Sequence, residues 1–205
     1  MYSKLQYISQ GKDASSQLYN IQAALDAGCK WIQLRYKQAD ELSLFSLAVA
    51  VKKLCDGYNA ILIINDFVSI AREVDADGVH VGLSDIPVAV AREKLAPGKI
   101  IGGTANTLAD VAQRIGEQCD YIGLGPYRFT ATKEKLSPIL GLEGYQDIMK
   151  VLAVQDVSIP VYAIGGILYE DVPAILSTGV HGIAVSGMII NATDKHAVVS
   201  YVSSL

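Results

Sequence analysis

The stretch AILIINDFVSIAREVDADGVHVGLSDIPVAVAREKL, residues Ala60–Leu95, decides the fold. It opens on an unbroken apolar run, Ala60 to Ile64, that ends in Asn65-Asp66. Helical spacing follows over Val68 to Glu73, then a second apolar run, Gly78 to Val81. That run leads into the polar cluster His80 to Asp85, and Pro87 to Leu95 returns to helical spacing. Short apolar runs with no polar alternation belong to strands covered on both faces, which is the situation in a parallel sheet. Two complete βα units therefore lie side by side, with only a tight connection from Ile64 to Ile70 between strand and helix.

Working outward, the same unit recurs in both directions. Leu5 to Ser9 and Trp31 to Tyr36 precede it as strands. Ile100 to Gly103, Tyr121 to Leu124, Val161 to Ile164 and Gly182 to Val185 follow it. The intervening helices are predicted at Ser15 to Ala27, Glu41 to Cys55, Leu108 to Glu117, Gly141 to Val154, Tyr169 to Ser177 and Asp194 to Val202. In the first, Leu18, Ile21, Ala24 and Leu25 share one face; in the second, Leu42, Phe45, Val49 and Leu54 are expected to point at the core. Eight βα repeats without a strand-only or helix-only block fit a single (β/α)8 barrel, the TIM barrel, over residues 1–205, with an open doubly wound sheet as the alternative. The chain's 205 residues suffice for one such domain, and no Pro/Ser-rich linker divides it.

Composition narrows the function. Hydrophobic residues make up 51% of the chain and charged ones 19%, as a helix-covered parallel sheet needs. A formal charge of −4 gives no general attraction for nucleic acid or an anionic membrane, so a phosphate ligand must be held by a local basic site. Met1 to Gly11 has no long apolar region, and no apolar run approaches the roughly 20 residues of a membrane span. The expectation is a soluble cytoplasmic protein; its oligomeric state is open, a homo-oligomer included. Cys29, Cys55 and Cys119 are widely separated without CxxC spacing, and read as buried reduced thiols.

In a closed barrel the eight strand ends share one face. Gln33, Arg35 and Lys37 would alternate onto the same side at the end of the second strand, bringing two cations to the barrel mouth, where a diphosphate suits them. Asp66 and Asp85 follow neighbouring strands, and two carboxylates beside cations make a magnesium site, since Mg²⁺ takes one or two carboxylates and completes its shell with water and phosphate oxygens. Taken singly, each aspartate reads first as the cap of the helix that follows it, a role that does not exclude metal binding. Gly165-Gly166 and Ser186-Gly187 close the seventh and eighth strands, where such barrels often hold a phosphate. The long connection Gly125 to Pro138 carries Thr130, Thr132 and Lys133, which suit an anionic group.

QLRYK (Gln33 to Lys37), IINDF (Ile63 to Phe67), ADGVHVGLSDIP (Ala76 to Pro87), IIGGTANT (Ile100 to Thr107), DYIGLGPYRFTATK (Asp120 to Lys133), IPVYAIGGI (Ile159 to Ile167) and GIAVSGMI (Gly182 to Ile189) run in order along nearly the whole chain. Together they resemble the thiamine phosphate synthase/TenI superfamily. That resemblance implies a (β/α)8 transferase joining 4-amino-2-methyl-5-hydroxymethylpyrimidine diphosphate to 4-methyl-5-(2-phosphoethyl)thiazole, with thiamine phosphate and pyrophosphate as products. By residue matching, Arg35, Lys37, Asn65 and Lys133 would hold the diphosphate, with Thr104 at the family's serine position. Asp66 and Asp85 would bind Mg²⁺. Gln33 and His80 would lie by the pyrimidine, and Thr130, Thr132, Gly166, Val185 and Ser186 would receive the thiazole phosphate. The chain departs from the family pattern at Tyr36, at Leu83-Ser84 and at Thr104-Ala105-Asn106-Thr107. The related thiazole tautomerases carry a histidine where Asn106 stands, and asparagine cannot transfer a proton in its place. The alternatives are such a tautomerase and a non-catalytic thiazole phosphate-binding protein.

Overall fold

A computed structural model describes residues 2–129 and 138–205. Eight parallel strands close into a barrel in chain order. They are β1 (Leu5–Ile8), β2 (Trp31–Leu34), β3 (Ile61–Asn65), β4 (Gly78–Val81), β5 (Ile100–Ala105), β6 (Tyr121–Leu124), β7 (Val161–Ile164) and β8 (Gly182–Val185). Closure is made by Leu5, Gln6 and Tyr7 of β1 pairing with Ile183, Ala184 and Val185 of β8. Around the barrel lie α1 (Ala14–Asp26), α2 (Glu41–Gly57), α3 (Val68–Glu73), α4 (Val88–Lys94), α5 (Leu108–Gly116), α6 (Gly141–Val154), α7 (Val172–Leu176), α8 (Gly187–Ile190) and α9 (Lys195–Ser204). The chain thus forms the (β/α)8 barrel that its periodicity predicts.

Burial follows from the two-sided strands. Outward residues such as Tyr7, Ile32, Leu34, Leu62, Ile64 and Val79 pack into one core with the inner faces of the helices. The inward faces enclose a second, smaller cluster around Ile8, Trp31, Ile63, Tyr121, Tyr162 and Ala184. Trp31 and Tyr121 each begin a strand, so this cluster plugs the N-terminal end of the barrel. Its rings meet edge to face, Trp31 lying 5.1 Å from both Tyr121 and Tyr162, an arrangement that suits the ring quadrupoles. With that end filled, the C-terminal mouth is the open end of the barrel, the end at which (β/α)8 enzymes carry their sites.

Local sequence fixes the helix starts. Asp13 and Ser16 form a reciprocal capping box on α1, Thr107 and Asp110 another on α5. Asp40 and Asp194 cap α2 and α9 through the amides of Ser43 and Ala197. Each occupies backbone donors that a helix leaves without an internal partner.

Three local expectations are corrected. β2 ends at Leu34, so Arg35, Tyr36 and Lys37 belong to a loop and the alternation of faces does not carry through them. Leu42 is 75% exposed, because the core face of α2 is Leu44, Leu47, Ala48, Val51 and Cys55, turned away from the predicted stripe. The segment predicted as one helix from Tyr169 begins with a 3₁₀ turn, Tyr169–Asp171, and the four-residue α8 has no counterpart in the periodicity.

Candidate active site

The mouth gathers Arg35, Lys37, Asp66 and Asp85 from the loops after β2, β3 and β4. Lys37, Asp66, Phe67, Ser84, Asp85 and Ile86 line an open cleft of about 570 Å³. Lys37 Nζ lies 3.6 Å from Asp66 Oδ2. Neither aspartate caps its helix: the N-caps of α3 and α4 are Phe67 and Pro87, and neither makes a side-chain cap. Asp85 instead accepts the Gly82 amide at 2.6 Å, closing its loop on itself. Asp66 sits at φ 68°, a left-handed conformation that is strained for a side-chain-bearing residue and collects at functional sites. Its amide donates to the His80 carbonyl at 2.8 Å, tying the end of β3 to β4.

Burial and a hydrogen bond with Asp85 push the Asp66 carboxyl up to about 6, with Lys37 and Arg35 acting in the opposite direction. Two carboxylates held together in a partly buried pocket repel, and the pair relieves this by sharing a proton or by taking a cation. This donor set, two carboxylates open to a cleft with room for water and phosphate oxygens, fits Mg²⁺.

Between the mouth and the aromatic plug lies a layer of buried polar side chains. Gln33 Nε2 donates to Gln6 Oε1 at 3.1 Å and Gln6 Nε2 to the Tyr121 hydroxyl at 3.2 Å. His80 Nδ1 is 3.0 Å from that hydroxyl, and His80 Nε2 is 2.9 Å from Thr104 Oγ1. Asn65, at the end of β3, is also buried and pairs in register with His80.

On the opposite side of the mouth, Gly165 and Gly166 have φ of 97° and 70°. A side chain at Gly165 would come within 2.7 Å of Pro126, and one at Gly166 would overlap the Arg128 side chain. Only glycine lets the β7 loop run this close to the segment after β6. Arg128 is held there by its amide on the Gly165 carbonyl, 3.1 Å, and by an ion pair with Asp171, 2.8 Å. After β8, Ser186 Oγ is buried without a hydrogen-bond partner among the described residues. Val185 points outward into the helix-facing core, so only its backbone can serve the mouth. Thr130, Thr132 and Lys133 lie outside the described residues.

Several residues that the sequence pattern does not single out hold this site in shape. Ser9 Oγ accepts the Arg35 amide at 2.9 Å, and Gln17 Nε2 donates to the Arg35 carbonyl at 3.3 Å. Ser9, just after β1, and Gln17 of α1 therefore clamp the backbone of Arg35. Arg114 of α5 is 2% exposed and reaches the Thr104 and Gly82 carbonyls, each at 2.9 Å. A side chain at Gly103 would come within 2.6 Å of the Arg114 stem, so the glycine makes its path. Tyr145 of α6 bridges the β6 and β7 ends through the Leu124 carbonyl and the Ile164 amide. Asn106, which the sequence does single out, donates its side-chain amide to the Gly125 carbonyl. At Gln17, Arg114 and Tyr145 the signal is a polar residue within a helix, on the face that turns to the core.

A closed parallel barrel with charged and polar side chains gathered at its C-terminal mouth has the architecture of the (β/α)8 enzymes. Residues 5–189 match the family model described as thiamine monophosphate synthase. The chain is 53% identical over 200 residues to the thiamine-phosphate synthase of Flavobacterium psychrophilum, covering 98% of this chain and 97% of that one. It is 49% identical over 190 residues to the thiamine-phosphate synthase of Bacteroides fragilis, covering 93% of each. Among solved structures, thiamine phosphate pyrophosphorylase from Pyrococcus furiosus superposes with a TM-score of 0.84 at 32% identity, over 98% of this chain and 94% of that one. The chain belongs to the thiamine monophosphate synthase family.

Proposed function

We propose that this chain joins 4-amino-2-methyl-5-hydroxymethylpyrimidine diphosphate to 4-methyl-5-(2-phosphoethyl)thiazole, releasing pyrophosphate and forming thiamine phosphate, in the cytoplasm. The observation that carries the reading is the Asp66–Asp85 pair beside Lys37 in the mouth cleft, in a chain of this family. Arg35, Lys37, Asn65 and Lys133 hold the diphosphate, and Thr104 meets it from β5. Asp66 and Asp85 hold Mg²⁺, which supplies positive charge to the departing diphosphate. Gly166, the Val185 backbone and Ser186, with Thr130 and Thr132, take the thiazole phosphate; the buried Ser186 hydroxyl, without a partner among the described residues, supports this assignment. Gln33 and His80 face the pyrimidine.

As the C–O bond to the diphosphate breaks, negative charge grows on the leaving group. The lysines and Arg35 stabilise it more than they stabilise the ground state. The electron-rich aminopyrimidine supports the methylene cation, which the thiazole nitrogen captures. No protein nucleophile is required, because the thiazole nitrogen captures the cation directly. The Asn106 amide is engaged with the Gly125 carbonyl, which does not suit it to the proton transfer of a tautomerase. Expression in a thiamine-requiring strain without its own synthase tests the reading. The chain restores growth without thiamine and Asp66→Ala does not; no growth from well-expressed chain would contradict it.

A further inference from the structure

The buried polar layer forms a continuous line from Gln33 to Thr104, and its middle member, Tyr121, has no part in the mouth cleft. We propose that Tyr121 is a positioning residue: its hydroxyl fixes the hydrogen of His80 on Nε2 and thereby leaves the Thr104 hydroxyl hydrogen for the diphosphate. This rests on the proposed function for the identity of the anion, and on geometry for the rest.

Each member of the line has a fixed number of hydrogens to give. Gln6 spends its carbonyl oxygen on Gln33 Nε2, so its amide nitrogen donates to the Tyr121 hydroxyl. A phenol that accepts there still has one hydrogen to give, and His80 Nδ1 stands 3.0 Å away. A neutral imidazole that accepts at Nδ1 carries its hydrogen on Nε2. Nε2 is 2.9 Å from Thr104 Oγ1 and donates to it. Thr104, accepting from inside the barrel, then turns its own hydrogen toward the mouth, where an anion needs a donor. The glutamine and histidine orientations are assigned together from this network. Flipping both amides would reverse every bond: Tyr121 would donate to Gln6, His80 would donate from Nδ1, and Thr104 would donate inward. The anion at the mouth selects the first direction, and a chain of bonds polarised one way strengthens each member.

The backbone is cut to fit this line. Gly102 pairs with Tyr121 in register, and a side chain there would overlap the ring. Gly123 faces His80, whose Cε1 lies 3.2 Å from where a Cβ would stand. Backbone glycine in two adjacent strands makes the room that Tyr121 and His80 occupy. Tyr121 itself is fully buried against Trp31 and Tyr162, so the ring is fixed and its hydroxyl cannot follow the ligand.

Nitrogen NMR of the chain labelled with ¹⁵N-histidine and saturated with Mg²⁺ and inorganic pyrophosphate, the anion that selects the direction, tests the hydrogen directly and needs no variant, His80→Gln serving only to assign the signals. The expected result is a neutral His80 with a pyridine-like Nδ1 and a protonated Nε2. Kinetics test the route. Tyr121→Phe lowers kcat about tenfold, the scale of one lost hydrogen bond to a charged leaving group, with KM for the thiazole phosphate unchanged. Combined with Thr104→Val, it adds no further loss, because both changes remove the same donor. A His80 protonated on Nδ1 in the unsubstituted chain, or additive losses in the double variant, would overturn the proposal. A chain with the expected tautomer that turns over neither substrate would contradict the proposed function instead.

Discussion

Asp66→Asn should stabilise the metal-free protein while abolishing its activity. Burial and the contact with Asp85 raise the Asp66 carboxyl from 3.8 to about 6. The folded chain therefore keeps a proton across the interval in which the unfolded chain has lost it. Its stability falls as pH rises from about 4 to about 6 and levels off above. The rise in pKa corresponds to about 3 kcal/mol at neutral pH. With 22% of the Asp66 side chain exposed, solvent screening brings this nearer about 2 kcal/mol, and the half-exposed Lys37 pair offsets little of it. Asparagine keeps the shape and removes the ionisation. At pH 7.5 and in chelator, the variant should melt roughly 4–8 °C above the parent, and at pH 4 the two should melt together. Millimolar Mg²⁺ should raise the parent's melting temperature at pH 7.5 and the variant's far less. Equal or lower stability of Asp66→Asn at pH 7.5, or a gap that does not close on acidification, would refute the reasoning.

Three further outcomes are expected. Gln17→Leu releases the Arg35 carbonyl, so KM for the pyrimidine diphosphate should rise about tenfold while KM for the thiazole phosphate holds, with about 1 kcal/mol of stability lost; steady-state kinetics with each substrate varied in turn decide it. Gly166→Ala places a side chain at φ 70° against Arg128. It should cost about 1–2 kcal/mol in denaturant melts and raise KM for the thiazole phosphate selectively. The buried thiols, held at about 11 to 12, should resist alkylation at pH 7.5 for hours in the native protein and react within minutes in urea, as mass spectrometry will show.

The barrel was legible because its strands are short, apolar and covered on both faces, so each announces itself against the polar strand end that follows. Asp66 and Asp85 were legible as chemistry for the same reason: they stand where the apolar runs stop. The end of β2 was not, since Gln33, Arg35 and Lys37 continue the alternation after the backbone has left the sheet. α8 is four residues long, too short to carry a helical period. The supporting residues were hidden by type. Gln17 and Arg114 lie on helices where polar side chains usually meet water, yet each is 2% exposed and holds a strand-end carbonyl. Gln6 and Tyr121 sit inside strand runs, where a buried polar atom implies a partner but does not name it. Only closure of the barrel brings them to Gln33 and His80.

One barrel mouth is proposed to hold a diphosphate with its metal and a second phosphate at once. Incubation of the purified chain with Mg²⁺, the pyrimidine diphosphate and the thiazole phosphate tests it most directly, with thiamine phosphate and pyrophosphate quantified together. Equimolar formation of both, lost in chelator and in Asp66→Ala, is the predicted result. Absence of pyrophosphate release, or metal-independent isomerisation of a thiazole carboxylate phosphate in its place, would contradict it.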